Sequence, residues 1–260
     1  MLEDDFTYVL RKALAGHQLA PADAAAAAGI SERAVITLLR GTFDPATARR
    51  LAPVLGLNAE AFATHADYDP EPPALTEIQR LDLPFGPDQV NAWLVSGGDE
   101  TILIDAGYER SDILRELDAR LGRMPDRAFI THAHRDHVGA LRDLRNAGVP
   151  VHAADIAGTL AMNPGDRVCA GSLVVEARDL CGHADPALGF LIHGLSQPVF
   201  VTGDALFAGS IGGCATPRLY QTAIARLRRE LAALPDETVL LPGHGPATTL
   251  GQERARNPFL

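Results

Sequence analysis

From about residue 77 to the end, apolar residues come in short runs that stop repeatedly at glycine, aspartate or histidine, which restricts this stretch to a sheet-based fold. The runs are AWLVSG, TILIDAG, RAFITH, SLVVEA, LGFLIHG, PVFVTGD and TVLLPGHG. Between them lie RSDILRELDARLG, VGALRDLRNAG and TPRLYQTAIARLRRELAALPD, whose apolar residues recur at helical spacing. Ala223, Ile224, Leu227, Leu231 and Leu234 form one such stripe. Strands that first cluster and then alternate with helices predict a layered α/β fold with covered sheets.

Residues 1–66 have another texture. Phe6, Val9, Leu10, Ala13 and Leu14 mark an amphipathic helix, and an alanine-rich helix ends at Gly29. Ser31 can cap a third helix and Asp44-Pro45 can open a fourth, which Pro53 must end or kink. The proline-rich polar stretch 67–76 reads as a linker to a second domain spanning 77–260. With 47% hydrophobic residues the chain can build a sizeable core, and its formal net charge of −10 opposes non-specific attraction to nucleic acid or anionic membrane. Three scattered cysteines give no disulfide framework, the acidic N-terminus has no signal-peptide layout, and no apolar run can span a bilayer, so the expected location is cytoplasmic, without membrane partners.

Three of the nine histidines fall within THAHRDHVGA, residues 131–140. In extended continuation of RAFIT, the side chains of His132, His134 and Asp136 share one side, and His137 opens the following helix. His183, Asp204 and His244 stand at the ends of three other strand-like runs, each beside glycine, which permits close backbone approach. Five histidines and two aspartates at four strand ends suffice for two divalent ions, and imidazole with carboxylate suits zinc, iron or manganese. The remaining histidines read as structural or surface residues. Cys181 and Cys214, near the same region, read as passive thiols, and Asp105 reads as a supporting carboxylate.

HAHRDH followed by GH, TGD and PGHG resembles the metallo-β-lactamase superfamily over residues 77–260. The resemblance implies an αββα sandwich with metals at one edge of the paired sheets. It also implies one metal on His132, His134 and His183, another on Asp136, His137 and His244, and Asp204 bridging them. TGDALFAGSIGG and LPGHGPATTLGQERARNPFL are similar to hydroxyacylglutathione hydrolases (glyoxalase II), whereas GGCATPRL and GHADPALGF depart from that pattern at the site mouth. The implied activity is hydrolysis of a small-molecule thioester by a metal-bridging hydroxide, with Asp136 and Asp204 as catalytic residues and zinc as the expected metal.

Two other readings of the same residues differ in chemistry. A mono-iron persulfide dioxygenase would use His132, His183 and Asp204. Phosphodiester cleavage also occurs with HxHxDH, but the acidic chain offers no basic track. LAPADAAAAAGISERAVITLLRG resembles the helix-turn-helix of the Cro and phage-repressor class, which would make the first domain a DNA-binding regulatory unit. Residues 1–70 hold six basic against nine acidic residues, so DNA is not favoured, although Arg33, Arg40, Arg49 and Arg50 could form a patch. Homodimerisation or gating of the substrate is the preferred role for this region.

Overall fold

Side chains alternate across a strand, so each strand contributes to two layers at once. In the computed structural model, which describes residues 1–260, the first sheet has the order β1 (Ile78–Phe85), β2 (Asp88–Gly97), β3 (Glu100–Ile104), β4 (Arg127–Ile130), β5 (Val151–Ala153) and β6 (Leu160–Ala161). The first three strands are antiparallel and the rest continue in parallel from β3. The second sheet comprises β7 (Arg167–Ala170), β8 (Leu173–Asp179), β9 (Leu188–His193), β10 (Val199–Gly203), β13 (Val239–Pro242) and β14 (Thr248–Thr249). The hairpin of β11 (Leu206–Phe207) and β12 (Ser210–Ile211) projects between β10 and the next helix.

The alternation sorts the core. Trp93, Val95, Ile102 and Ile104 meet Val175, Phe190, Ile192, Val199, Val201 and Leu241 between the sheets. Their neighbours Leu94 and Leu103 face the other way, against Ile113 and Leu117 of α6 (Arg110–Leu121) and Leu144 of α7 (Leu141–Asn146). Leu191, Phe200 and Leu240 likewise leave the second sheet to meet α8 (Pro217–Leu231) and α9 (Leu250–Arg256). The result is the expected αββα sandwich, and none of its helices is long and apolar enough to cross a membrane.

The first 66 residues form α1 (Phe6–His17), α2 (Pro21–Ala28), α3 (Glu32–Leu39), α4 (Pro45–Leu51) and α5 (Ala59–Ala63). Side chains of Asp5, Ser31, Asp44 and Asn58 accept backbone N–H groups at four of the helix starts, and a 3₁₀ turn at Ala52–Leu55 replaces α4 where Pro53 cannot continue it. These helices do not stand apart. Val9, Leu10, Val35, Leu38, Leu51, Leu55 and Phe62 share one apolar cluster with Leu191, Phe200, Tyr220 and Leu240 of the sandwich. Residues 68–75 carry no regular structure, yet Tyr68 is buried and its hydroxyl donates to Glu253 Oε1 at 2.6 Å. Leu55→Ala should therefore lower the unfolding free energy by about 2–5 kcal/mol in a urea titration. Because the cluster is shared, helical and sheet signals should be lost in one transition; two separated transitions would contradict the shared core.

One expected boundary is corrected. The helix after HAHRDH begins at Leu141 rather than at His137. Backbone groups of the preceding residues bond elsewhere: Ala106 N–H donates to His137 O at 2.8 Å, and Gly139 N–H donates to Gly107 O at 2.7 Å. Strand β1 (IQRLDLPF) had no place in the sequence reading, because its central apolar residues are few and it alternates with charge.

Candidate metal centre

Every strand that delivers a candidate donor does so at the same end of the sandwich. β4 leads to His132, β8 through Asp179 to the His183 loop, β10 to Asp204, and β13 to His244. The regular strand ends at Ile130, and after His132 the chain turns, so Asp136 parts from His132 and His134 instead of sharing their side. Donor atoms of His132, His134 and His183 lie within 4.8 Å of one another, and so do those of Asp136, His137, Asp204 and His244. All seven sequence-derived candidates are brought together. Neither Cys181 nor Cys214 belongs to either set; burial pushes the Cys214 thiol up to about 11.

The hydrogen bonds behind the imidazoles fix what they present to the centre. His183 Nδ1–H donates to Gly213 O at 2.7 Å, and His244 Nδ1–H donates to Gln89 O at 2.7 Å. His137 Nδ1–H donates to Asp105 Oδ2 at 2.8 Å, and His132 Nδ1–H donates to Thr131 Oγ1 at 3.0 Å, whose own proton goes to Asp105. In the neutral rings, this leaves the Nε2 lone pair facing inward, where a cation would take it up. His132 Nε2 and His183 Nε2 each lie 3.0 Å from His134 Nδ1. His137 Nε2 and Asp204 Oδ1 are buried with no hydrogen-bond partner, 3.4 Å apart. Ring nitrogens and carboxylate oxygens this close, with two of the buried atoms unpartnered, suit a bound cation that would displace the ring protons.

Asp204 lies between the two sets, with Oδ2 3.5 Å from both His183 Nε2 and His244 Nε2 and 3.9 Å from His132 Nε2. Charge is divided along the same line. Burial, reinforced by neighbouring imidazoles, pushes His132 down to about 2. Burial also opposes protonation of His244 and His137, but the carboxylates around them prevail. Asp136 and Asp204 hold His244 up at about 10, and Asp204 with Asp105 hold His137 well above the usual imidazole range. Burial works against the Asp204 carboxylate, yet the positive field of His137 and His244 keeps its pKa well below the usual range. One half of the centre is a neutral nitrogen nest, and the other is an anionic pocket that attracts positive charge.

Asn91 and Trp93 support the centre without a signal in the sequence, whereas Asp105 supports it as its sequence context suggested. Asn91 Nδ2 donates to Pro242 O and Gly245 O, and Trp93 Nε1 donates to Pro242 O, which ties the His244 turn to the first sheet. Asp105 Oδ1 accepts Thr131 N–H at 2.8 Å, so one carboxylate orients both His137 and the HAHRDH loop. Asp105→Asn replaces an accepting oxygen by a donor. The expected result is a loss of about 10–100-fold in metal affinity, read by chelator competition. Unchanged affinity would reduce Asp105 to a purely structural residue.

The Metallo-beta-lactamase superfamily profile matches residues 85–180. The hydroxyacylglutathione hydrolase GloC of Haemophilus influenzae is 31% identical over 188 residues, which cover 61% of this chain and 86% of that protein. Among solved structures, the di-iron-bound form of TTHA1623 is 31% identical with a TM-score of 0.57, covering 69% of this chain and 99% of that one. ETHE1 from Myxococcus xanthus is 26% identical with a TM-score of 0.57, covering 69% and 83% respectively.

Proposed function

Because this chain belongs to the metallo-β-lactamase superfamily, we propose that it is a two-metal hydrolase cleaving a small-molecule thioester of the acylglutathione kind. The observation that carries this reading is the pair of donor sets meeting at Asp204. His132, His134 and His183 would hold one divalent cation and Asp136, His137 and His244 the other, with Asp204 between them. Zinc is the metal we favour, and iron or manganese suits the same donors. Such cations, when bound, acidify water to a pKa of about 7 and polarise a carbonyl oxygen.

The chain's own groups supply orientation and proton handling. Asp204 stays ionised, so its carboxylate can accept a hydrogen bond from the attacking water and aim its lone pair at the thioester carbon. Asp136 is 10% exposed and lies 3.2 Å from His244 Nε2 through Oδ2, which makes it the carboxylate placed to take up the water's proton. His134 is exposed, leaving an approach to the nitrogen-rich set. Phe207 is buried against the His244 ring at 5.8 Å between centroids, and the half-buried Phe85, tilted against the same ring at 6.1 Å, offers an apolar surface to the acyl group. The thiol half of the substrate can depart as a thiolate, since thiols ionise near neutral pH.

The experiment pairs elemental analysis of purified protein with turnover of a panel of acyl-thioesters. The expected outcome is two metal ions per chain and hydrolysis of at least one thioester. Two ions with no turnover on any member would remove the thioesterase reading. One iron per chain with oxygen uptake on a persulfide would replace it by the mono-iron dioxygenase reading, which leaves the buried Asp136, His137 and His244 set without a role. A DNA-binding role for the helical region would have to rest on Arg33 and Arg40. Arg49 is paired with Glu60 at 2.6 Å, and Arg50 Nη2 donates to Ala28 O and Gly29 O. In this reading the region serves the hydrolase.

A further inference from the structure

Asp204 opens a loop that closes at Gly213, whose carbonyl accepts the Nδ1 proton of His183. The loop therefore touches both donor sets, and its path decides where Asp204 and His183 stand relative to each other. Its inner side is held by the sandwich, where Asn257 Nδ2 donates to Phe207 O and Ser210 O and Glu253 accepts Gly209 N–H, and a second grip comes from the N-terminal residues. Lys12 Nζ, on α1, donates to Ile211 O at 2.7 Å and pairs with the buried carboxylate of Asp4. Asp4 in turn accepts the Ser210 hydroxyl. His65 Nε2 bonds to Gly209 O at 3.0 Å. Three consecutive loop residues, 209 to 211, are thus held by side chains from residues 4, 12 and 65.

Lys12 is the only lysine of the chain, and its side chain is 17% exposed. Its ammonium also lies 5.4 Å from the centre of the Phe207 ring, which itself stands against His244. A lysine so enclosed loses hydration, and it would be retained at a helix surface only if its charge satisfied fixed partners. Those partners are a carbonyl of the metal-centre loop and the Asp4 carboxylate that holds the preceding serine. The loop has little freedom to retreat, because a Cβ on Gly212 would lie 1.8 Å from Asp204 O and 2.9 Å from His183 Nδ1.

We propose that Lys12 is a positioning residue of the metal centre: through Ile211 it sets the loop whose two ends, Asp204 and Gly213, place a shared carboxylate and orient His183. The helical region then acts as a built-in clamp of the active site. This rests on the two-ion reading above. The chain is Lys12 to Ile211 carbonyl, Gly213 carbonyl to His183 Nδ1–H, and His183 Nε2 to the nitrogen nest. Losing the first link lets the last lone pair wander.

The test is zinc titration of full-length apo-protein against a chromophoric chelator, for wild type, Lys12→Met, Lys12→Arg and Leu14→Ala. Lys12→Met keeps the stem that packs near Phe207 but removes the charge and the donor. It should weaken one of the two zinc affinities about tenfold, at the lower end of the effect of losing a group that orients a ligand. Lys12→Arg, which keeps a cation that can reach Ile211 O, should restore most of that loss. Leu14→Ala removes apolar packing from the same helix while leaving Lys12 and its bond to Ile211 in place, and controls for general loosening. Wild-type affinities in Lys12→Met, an equal loss in Leu14→Ala, or no recovery in Lys12→Arg would each overturn the proposal. A wild-type protein that takes up no zinc, iron or manganese would instead remove the two-ion reading itself, and this role with it.

Discussion

Asp204→Asn is expected to reduce thioester turnover by about 10²–10³-fold or more, and to reduce the metal content from two ions per chain to one or fewer. The scale is that of losing a preorganised charged group at a reacting centre. The physical reason is specific to this carboxylate. Its two oxygens stand 3.4 to 3.9 Å from the Nε2 atoms of His132, His137, His183 and His244, so it is the anion common to both donor sets. Asparagine keeps the shape but removes the charge. It would also no longer balance the positive charge that the raised pKa values of His137 and His244 bring beside it. Kinetics with elemental analysis on the same preparation decides the matter. A fully active variant retaining two ions would show that Asp204 is not shared between them.

Gly243→Ala should have an effect of similar size through geometry alone. A Cβ at this position would lie 2.1 Å from Asp204 Oδ1 and 2.8 Å from His137 Cε1, well inside contact distance. The backbone cannot withdraw, because Gly243 N–H donates to Gly203 O at 2.9 Å and Gly243 O accepts Asn91 N–H at 2.7 Å. The carboxylate must therefore rotate away from its place between the donor sets. The expected readings are loss of one or both ions and about a 10²-fold or greater fall in turnover, with only the 1–3 kcal/mol loss of fold stability usual for overpacking. Retention of both ions with normal turnover would mean that the cradle around Asp204 is softer than its hydrogen bonds imply.

Much of this centre could be read before any coordinates, because its donors are chemically unusual residues at strand ends. His183, Asp204 and His244 each follow an apolar run and adjoin glycine, and the HAHRDH stretch supplies four donors at once. What the sequence hid is the support behind them. Supporting groups such as Thr131, Gln89 and Asn91 act through a hydroxyl, a carbonyl or an amide, which no spacing rule distinguishes from surface polarity. The division of the HAHRDH donors was implied by the family resemblance, whereas strand alternation alone put Asp136 on the side of His132 and His134. The division depends on the chain turning after His132, and backbone groups of residues 137–140 bond to Ala106 and Gly107 instead of starting a helix.

The helical region shows the same contrast. Its caps and breaks were legible in Ser31, Asp44, Pro45 and Pro53, since local backbone chemistry decides them. Its attachment was not. Val35, Leu38 and Leu55 have the pattern of any amphipathic helix, and nothing local says whether the partner is a sister helix or, as in the shared cluster, also a sheet face more than a hundred residues away.

Asp105 adopts a φ of 61°, a left-handed conformation in which a non-glycine side chain stores on the order of 1 kcal/mol of strain. Glycine would relax that strain but could not hold His137 in orientation. That relaxation would cost more than it returns, because His137 Nδ1–H and Thr131 N–H would be left buried without an acceptor, at about 1–3 kcal/mol each. The left-handed angle is therefore tolerated because a carboxylate is needed there, and Asp105→Gly should lower both heat tolerance and ion retention; a variant that gained heat tolerance would contradict this.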